Sequence, residues 1–122
     1  MNTRIVWGVM VGALLAGAGA PAFAHEEAAD AQTITGEVVD LACYLGHGAR
    51  GAQHQPCAQK CIASGLPVGI KSGDTLYLAV GREHGTANAA LAPLAAKQVT
   101  VEGTVTEQDG VHLIAITKVT VN

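Results

Sequence analysis

All three cysteines and two of the five histidines of this chain fall between residues 43 and 61, as Cys43-x3-His47-x6-His54-x2-Cys57-x3-Cys61. Five soft or borderline ligands within nineteen residues are the one concentration of reactive side chains in the sequence. Thiolate and imidazole donors suit Cu(I) or Zn(II), whereas Ca and Mg take oxygen ligands. Copper is the preferred expectation and zinc the alternative. A structural zinc site usually shows a closed set of four donors with a C-x2-C knuckle, and that knuckle does not occur here. The candidate metal ligands are therefore Cys43, His47, His54, Cys57 and Cys61. The role they imply is binding, delivery or sensing of a metal ion rather than turnover.

Two other chemistries fit the same residues. Gln55-Pro56 reads as the start of a helix, because Pro suits the first helical position. Cys57 and Cys61 then stand one turn apart on one face, with Cys57 in the first turn, where the dipole favours a thiolate. A thiol-redox protein would use Cys57 as the attacking thiolate and Cys61 or Cys43 to resolve it. Alternatively, Cys43 bridged to Cys57 or Cys61 would staple a small exported domain, stabilising it by typically ~2–4 kcal/mol. An odd number of cysteines leaves one thiol over in that case.

Nothing else in the chain carries a comparable signal. There is no C-x-x-C-H haem attachment, nucleophile triad, phosphate loop or nucleotide fingerprint. Glu37 and Asp40 lie at a strand spacing that separates their side chains, which argues against a catalytic pair. His25 reads as the start of a mobile acidic leader rather than as an amine-imidazole ligand for Cu(II). His84 in GREHG and His112 in a strand read as surface or internally satisfied residues, and Tyr44 as core or as a lining of the cysteine segment.

The elements that must position this segment follow a recognisable order. Arg4, the uncharged run Ile5 to Ala20 and Pro21-Ala22-Phe23-Ala24 form the three parts of a secretory signal peptide, residues 1–24. Cleavage after Ala24 leaves 98 residues with six basic and ten acidic side chains, a net charge of −4 with His neutral. Such a chain, expected to be periplasmic or secreted with no membrane span after cleavage, forms one domain. Its acidity excludes nucleic acid as a partner, and two tyrosines give no stacking platform. Another exported protein is the macromolecular partner to expect; the oligomeric state is open.

Residues 25–32 read as a flexible acidic leader and 33–122 as the domain. TITGEVVD, residues 33–40, is strand-like and continues into Leu41-Ala42-Cys43-Tyr44-Leu45; residues 46–53, GHGARGAQ, form a loop. After the Pro56 helix, ended by Gly65 and Pro67, come a short apolar segment at Val68 to Ile70 and a strand at Thr75 to Val80. Asn88 caps a short Ala/Leu-rich helix. Val99 to Thr106 and Val111 to Val121 form a hairpin over an Asp109-Gly110 turn. The two-residue apolar period slips near Thr117-Lys118, which predicts a β-bulge. This pattern predicts a mainly β fold, a small, partly closed OB-like barrel with one or two short helices; a two-layer α+β sandwich is the alternative.

The run GEVVDLACYLGHGARGAQHQPCAQKCIASGLPVGI, followed by TLYLAV and VTVEGTV…GVHLIAITKV, covers most of the domain. Its G-x-V-V-D-x-x-C-Y and H-x-x-C-A-x-x-C marks resemble a family of small exported bacterial proteins with OB-like barrels, for which no activity is established. The resemblance implies the barrel and export, and it implies no reaction.

Overall fold

The computed structural model describes residues 30–122. Residues 1–24, expected to be a signal peptide, and His25 with most of the expected leader lie outside the described residues. Five strands, β1 (Ala31–Asp40), β2 (Val68–Ser72), β3 (Thr75–Val80), β4 (Gln98–Gln108) and β5 (Val111–Val121), close into a barrel in the order β1-β2-β3-β5-β4. Every pairing is antiparallel except β3 with β5. This is the OB-like barrel expected of the sequence, fully closed rather than partly so, because β1 pairs with both β2 and β4. Three short helices accompany it, α1 (Leu41–His47), α2 (Gln55–Ala63) and α3 (Asn88–Leu91).

The barrel interior follows from strand alternation. In β4, Val99, Val101 and Gly103 are buried, and the residues between them face outward. In β5, Ile114 and Ile116 are buried and Val119 packs against the same core. The register jumps from Glu102 opposite Lys118 to Gly103 opposite Ile116, leaving Thr117 as the extra residue of the bulge. Its hydroxyl donates to the Glu102 carbonyl at 3.1 Å. At the other end of this hairpin both turn residues take positive φ, Asp109 at 53° and Gly110 at 81°, as a two-residue turn matching the strand twist requires.

Three local expectations are corrected. β1 starts at Ala31 instead of Thr33, since β4 is long enough to pair Ala31 with Thr104 and Gln32 with Gly103. The strand does not run on through Leu45: residues 41–47 form α1. Asp40 ends β1 in extended conformation and accepts a hydrogen bond from Ala42 N at 3.0 Å, a helix cap. Gly48, at φ 70°, closes the helix by turning its N–H back to the carbonyls of Cys43 and Tyr44. Leu41 fits beneath because Gly69 has no side chain. A Cβ there would lie 2.7 Å from Leu41 Cδ2 and 2.8 Å from the Tyr77 carbonyl oxygen.

The third correction concerns Asn88. It is the first residue of α3, behind an Ala87 cap, and its amide is spent elsewhere. Asn88 Nδ2 donates to the carbonyls of Ile62, at 2.8 Å, and Leu66, at 2.7 Å. The Ile62 carbonyl, which also takes the Gly65 N–H at 3.0 Å, is in the last turn of α2, and Leu66 lies just beyond the helix, so Asn88 fastens that end of α2 to α3. Ala58 and Ile62, one turn apart on α2, are buried in the barrel core beside Leu91 of α3. That seating fixes how α2 is rotated. Among the described residues no helix is long and apolar enough to cross a membrane.

Candidate metal centre

With Ala58 and Ile62 directed into the core, the residues just before them, Cys57 and Cys61, form the adjacent row of α2. That row stands beside the end of β1 and the start of α1. Cys57 is exposed and Cys61 half-buried. The turn from Asp40 into α1 brings Cys43, also half-buried, against the same row. His54 arrives from the other side, at the end of a 3-10 turn (Ala52–His54) that leads directly into α2.

The loop carrying His54 is tied down from below. Glu37, only 8% exposed, accepts a hydrogen bond at Oε1 from Gly51 N at 2.5 Å. Gly51 holds φ 80°, a conformation side chains rarely adopt, and this bend starts the turn that presents His54. Glu37 is thus a support of the centre.

Two overlapping sets of potential ligand atoms result. Cys43, His54 and Cys57 form one, and Asp40, Cys43 and Cys61 the other; within each set the ligand atoms lie within 4.8 Å of one another. Cys43 belongs to both. Around a tetrahedral ion with thiolate bonds of ~2.3 Å, neighbouring donors stand about 3.8 Å apart, so either set reaches an ion with small side-chain movements.

Two atoms of these sets are buried without a hydrogen-bond partner: Asp40 Oδ2 and His54 Nε2. Asp40 is fully buried, with Oδ1 occupied by the helix cap and Oδ2 left over. A buried carboxylate oxygen without a partner is costly unless a cation or a proton donor meets it. The Cys43 and Cys61 thiols stand beside it. Asp40 pushes the Cys43 thiol up to about 12, chiefly because the protonated sulfur can share its hydrogen with the carboxylate, then through burial and through repulsion of the thiolate by Asp40. Cys61 is raised too, first by burial, then by a hydrogen bond with Cys57 and by the charge of Asp40.

Of the five ligands expected from sequence, the structure assembles four: Cys43, His54, Cys57 and Cys61. His47 is not brought in. It is the last residue of α1, exposed, and in neither set. The residue missed is Asp40, whose strand spacing argues only against a catalytic pair with Glu37 and which is not among the expected ligands. The available signal was its spacing, an aspartate ending an apolar strand three residues before a cysteine, which suits a helix cap. All three cysteines are free thiols in this structure, which gives no support to the alternative of a bridge from Cys43 to Cys57 or Cys61.

The remaining described histidines lie elsewhere. His112 Nδ1 lies 3.5 Å from Glu107 and its ring packs 5.6 Å from that of Tyr77. His84 is exposed in the loop after β3. No family model matches the chain, and neither the curated proteins nor the solved structures searched contain a match.

Proposed function

We propose that this chain is an exported protein that binds a soft or borderline metal ion, copper before zinc, through Cys43, His54 and Cys57, with Cys61 and Asp40 adjoining. The observation that carries the reading is the pair of partnerless buried atoms, His54 Nε2 and Asp40 Oδ2, each inside a ligand set that contains thiols. Each would gain a partner from a cation. Two thiolates and an imidazole form the soft donor set that Cu(I) takes, and the exposure of Cys57 leaves the ion accessible for exchange with another exported protein. Binding, delivery or sensing fits this open arrangement. Two clefts of the barrel are lined by other residues, such as Gln59, Ser64 and Asn88 in one and Leu45, Leu76 and Val111 in the other.

The thiol-redox reading has less support, because Cys43 and Cys61, its two candidate resolving thiols, are held toward the unreactive protonated form. The test is titration of the reduced protein with Cu(I) and with Zn(II) against chromophoric chelators. Binding that is lost on Cys43→Ser and weakened on His54→Ala supports the proposal. Failure to bind either ion with all three thiols reduced rejects it.

A further inference from the structure

Two ligand sets share one sulfur, and this sharing bears on how many ions the centre holds. Cys57 and Cys61 are four residues apart on α2, which separates them by about 6 Å along the helix axis. Cys57 groups with His54 at one end, and Cys61 with Asp40 at the other. Cys43 faces the space between them and belongs to both sets. The partnerless atoms are divided in the same way, His54 Nε2 in the outer set and Asp40 Oδ2 in the inner one. An ion in the outer set gives Asp40 nothing, and an ion in the inner set gives His54 nothing.

We infer that the centre takes two ions, one in each set, bridged by the Cys43 thiolate. This rests on the metal-binding reading above and extends it to stoichiometry and ion class. The outer ion is held by His54, Cys57 and Cys43, the inner one by Asp40, Cys61 and Cys43. Three thiolates and one carboxylate bring four negative charges, which two divalent ions neutralise; a single ion in the outer set leaves Cys61 protonated and the buried Asp40 carboxylate without a cation. Binding releases the thiol protons to solvent. Asp40 supplies an oxygen donor to the inner position alone, which Zn(II) accepts alongside sulfur and Cu(I) does not favour, so the filled pair is of the zinc class. Cu(I), preferred by the two thiolates and imidazole of the outer set, fills that position alone. Thiolate-bridged ions lie on the order of 3.5–4 Å apart, the separation usual in two-metal sites.

The experiment is titration of the reduced protein with Zn(II), read by native mass spectrometry and by competition with a chromophoric chelator. The expected result is two Zn(II) per chain. Asp40→Asn and Cys61→Ser should each bind one, as should His54→Ala, and Cys43→Ser none. Asn caps a helix as well as Asp does, so the first variant keeps α1 in place, and Cys61→Ser tests the inner position independently of the cap. Loading with Co(II) adds a second readout: the paramagnetic signal of the first equivalent should fall as the second enters, because ions sharing a sulfur couple magnetically. A single Zn(II) at saturation, lost on His54→Ala and unaffected by Asp40→Asn, overturns the two-ion centre and leaves metal binding standing. Two Zn(II) retained by both Asp40→Asn and Cys61→Ser overturn it as well. Binding of neither Zn(II) nor Cu(I) removes this inference together with the function on which it rests.

Discussion

Glu37 Oε1 accepts a hydrogen bond from Gly51 N at 2.5 Å, joining the middle of β1 to the bend that delivers His54. The carboxylate is buried and fourteen residues away in sequence, so it can hold the loop at the distance from Cys43 that the outer ligand set requires. Glu37→Ala should therefore weaken metal binding by about 10–100-fold, the loss typical of removing a partner that orients a ligand. Glu37→Gln, which keeps an acceptor, should stay close to wild type. Chelator competition on both variants checks this, and equal affinities for Ala and Gln would show that the loop needs no tether.

Asn88 performs the corresponding task at the other end of α2. Its two hydrogen bonds to the Ile62 and Leu66 carbonyls hold the helix whose row carries Cys57 and Cys61. Removing the amide in Asn88→Ala leaves the Ile62 carbonyl with the Gly65 N–H alone and the exposed Leu66 carbonyl to water, at a cost of about 0.5–1.5 kcal/mol for each bond lost. Asn88→Asp should cost more, because a carboxylate would face two carbonyl oxygens. Urea unfolding measures both; a stability unchanged by Asn88→Ala would contradict the tether.

How much of this was legible in the sequence differs from element to element. The barrel was, because Val99, Val101, Ile114, Ile116 and Val119 carry a two-residue period whose single slip marks the bulge at Thr117. α2 was, because Pro56 and Gly65 bracket it. α1 was not. The apolar run VVDLACYL extends a strand by propensity, and only the Asp40 cap and the left-handed Gly48, acting together with the space at Gly69 for Leu41, turn it into a helix. That turn decides the site. A strand through Leu45 would carry Cys43 away from α2, whereas the helix sets it against Cys57 and Cys61 and places Asp40 behind it.

Closure of the barrel makes its own prediction at Gly103, beside the bulge. A Cβ at this position would press directly on the Ala115 carbonyl oxygen and lie 3.0 Å from Ile116 Cα, both of them backbone. Gly103→Ala must part β4 from β5 to fit and should destabilise the fold by about 1–3 kcal/mol, as overpacking does. The urea midpoint should fall at unchanged m-value. No loss would mean that the hairpin slides apart freely at the bulge.

The thiols of the metal-free protein should differ in reactivity in a defined direction. Asp40 favours the protonated form of Cys43 and repels its thiolate, so the proton leaves only as the pH approaches about 12. Iodoacetamide near pH 8, an ordinary working range for free thiols, should label exposed Cys57 well before Cys43. Asp40→Asn removes the negative charge, and labelling of Cys43 should then begin at lower pH. A metal ion must displace the same protons, so apparent affinity should rise with pH, by up to about tenfold per unit for each proton released. Peptide mapping of the labelled protein reads the order. Equal rates at Cys43 and Cys57 would mean that Asp40 does not act on the thiol.

The two histidines of the cysteine segment provide the sharpest contrast. In sequence His47 and His54 are equivalent candidates, each a short step from a cysteine. In the fold His47 ends α1 with its side chain in solvent, and His54 has Nε2 buried, partnerless and grouped with Cys43 and Cys57. An exposed imidazole contributes to a distant ion only by reordering its helix, whereas a half-buried one already near two thiols needs only small adjustments. His47→Ala should leave the affinity for Cu(I) and Zn(II) unchanged. His54→Ala should lower it by more than the roughly 10–100-fold expected of an outer-shell partner, because a direct ligand is lost. Measuring the two variants side by side separates the folded geometry from the spacing, since ligand spacing alone gives both residues the same weight; a loss at His47 equal to that at His54 would require α1 to unwind on binding.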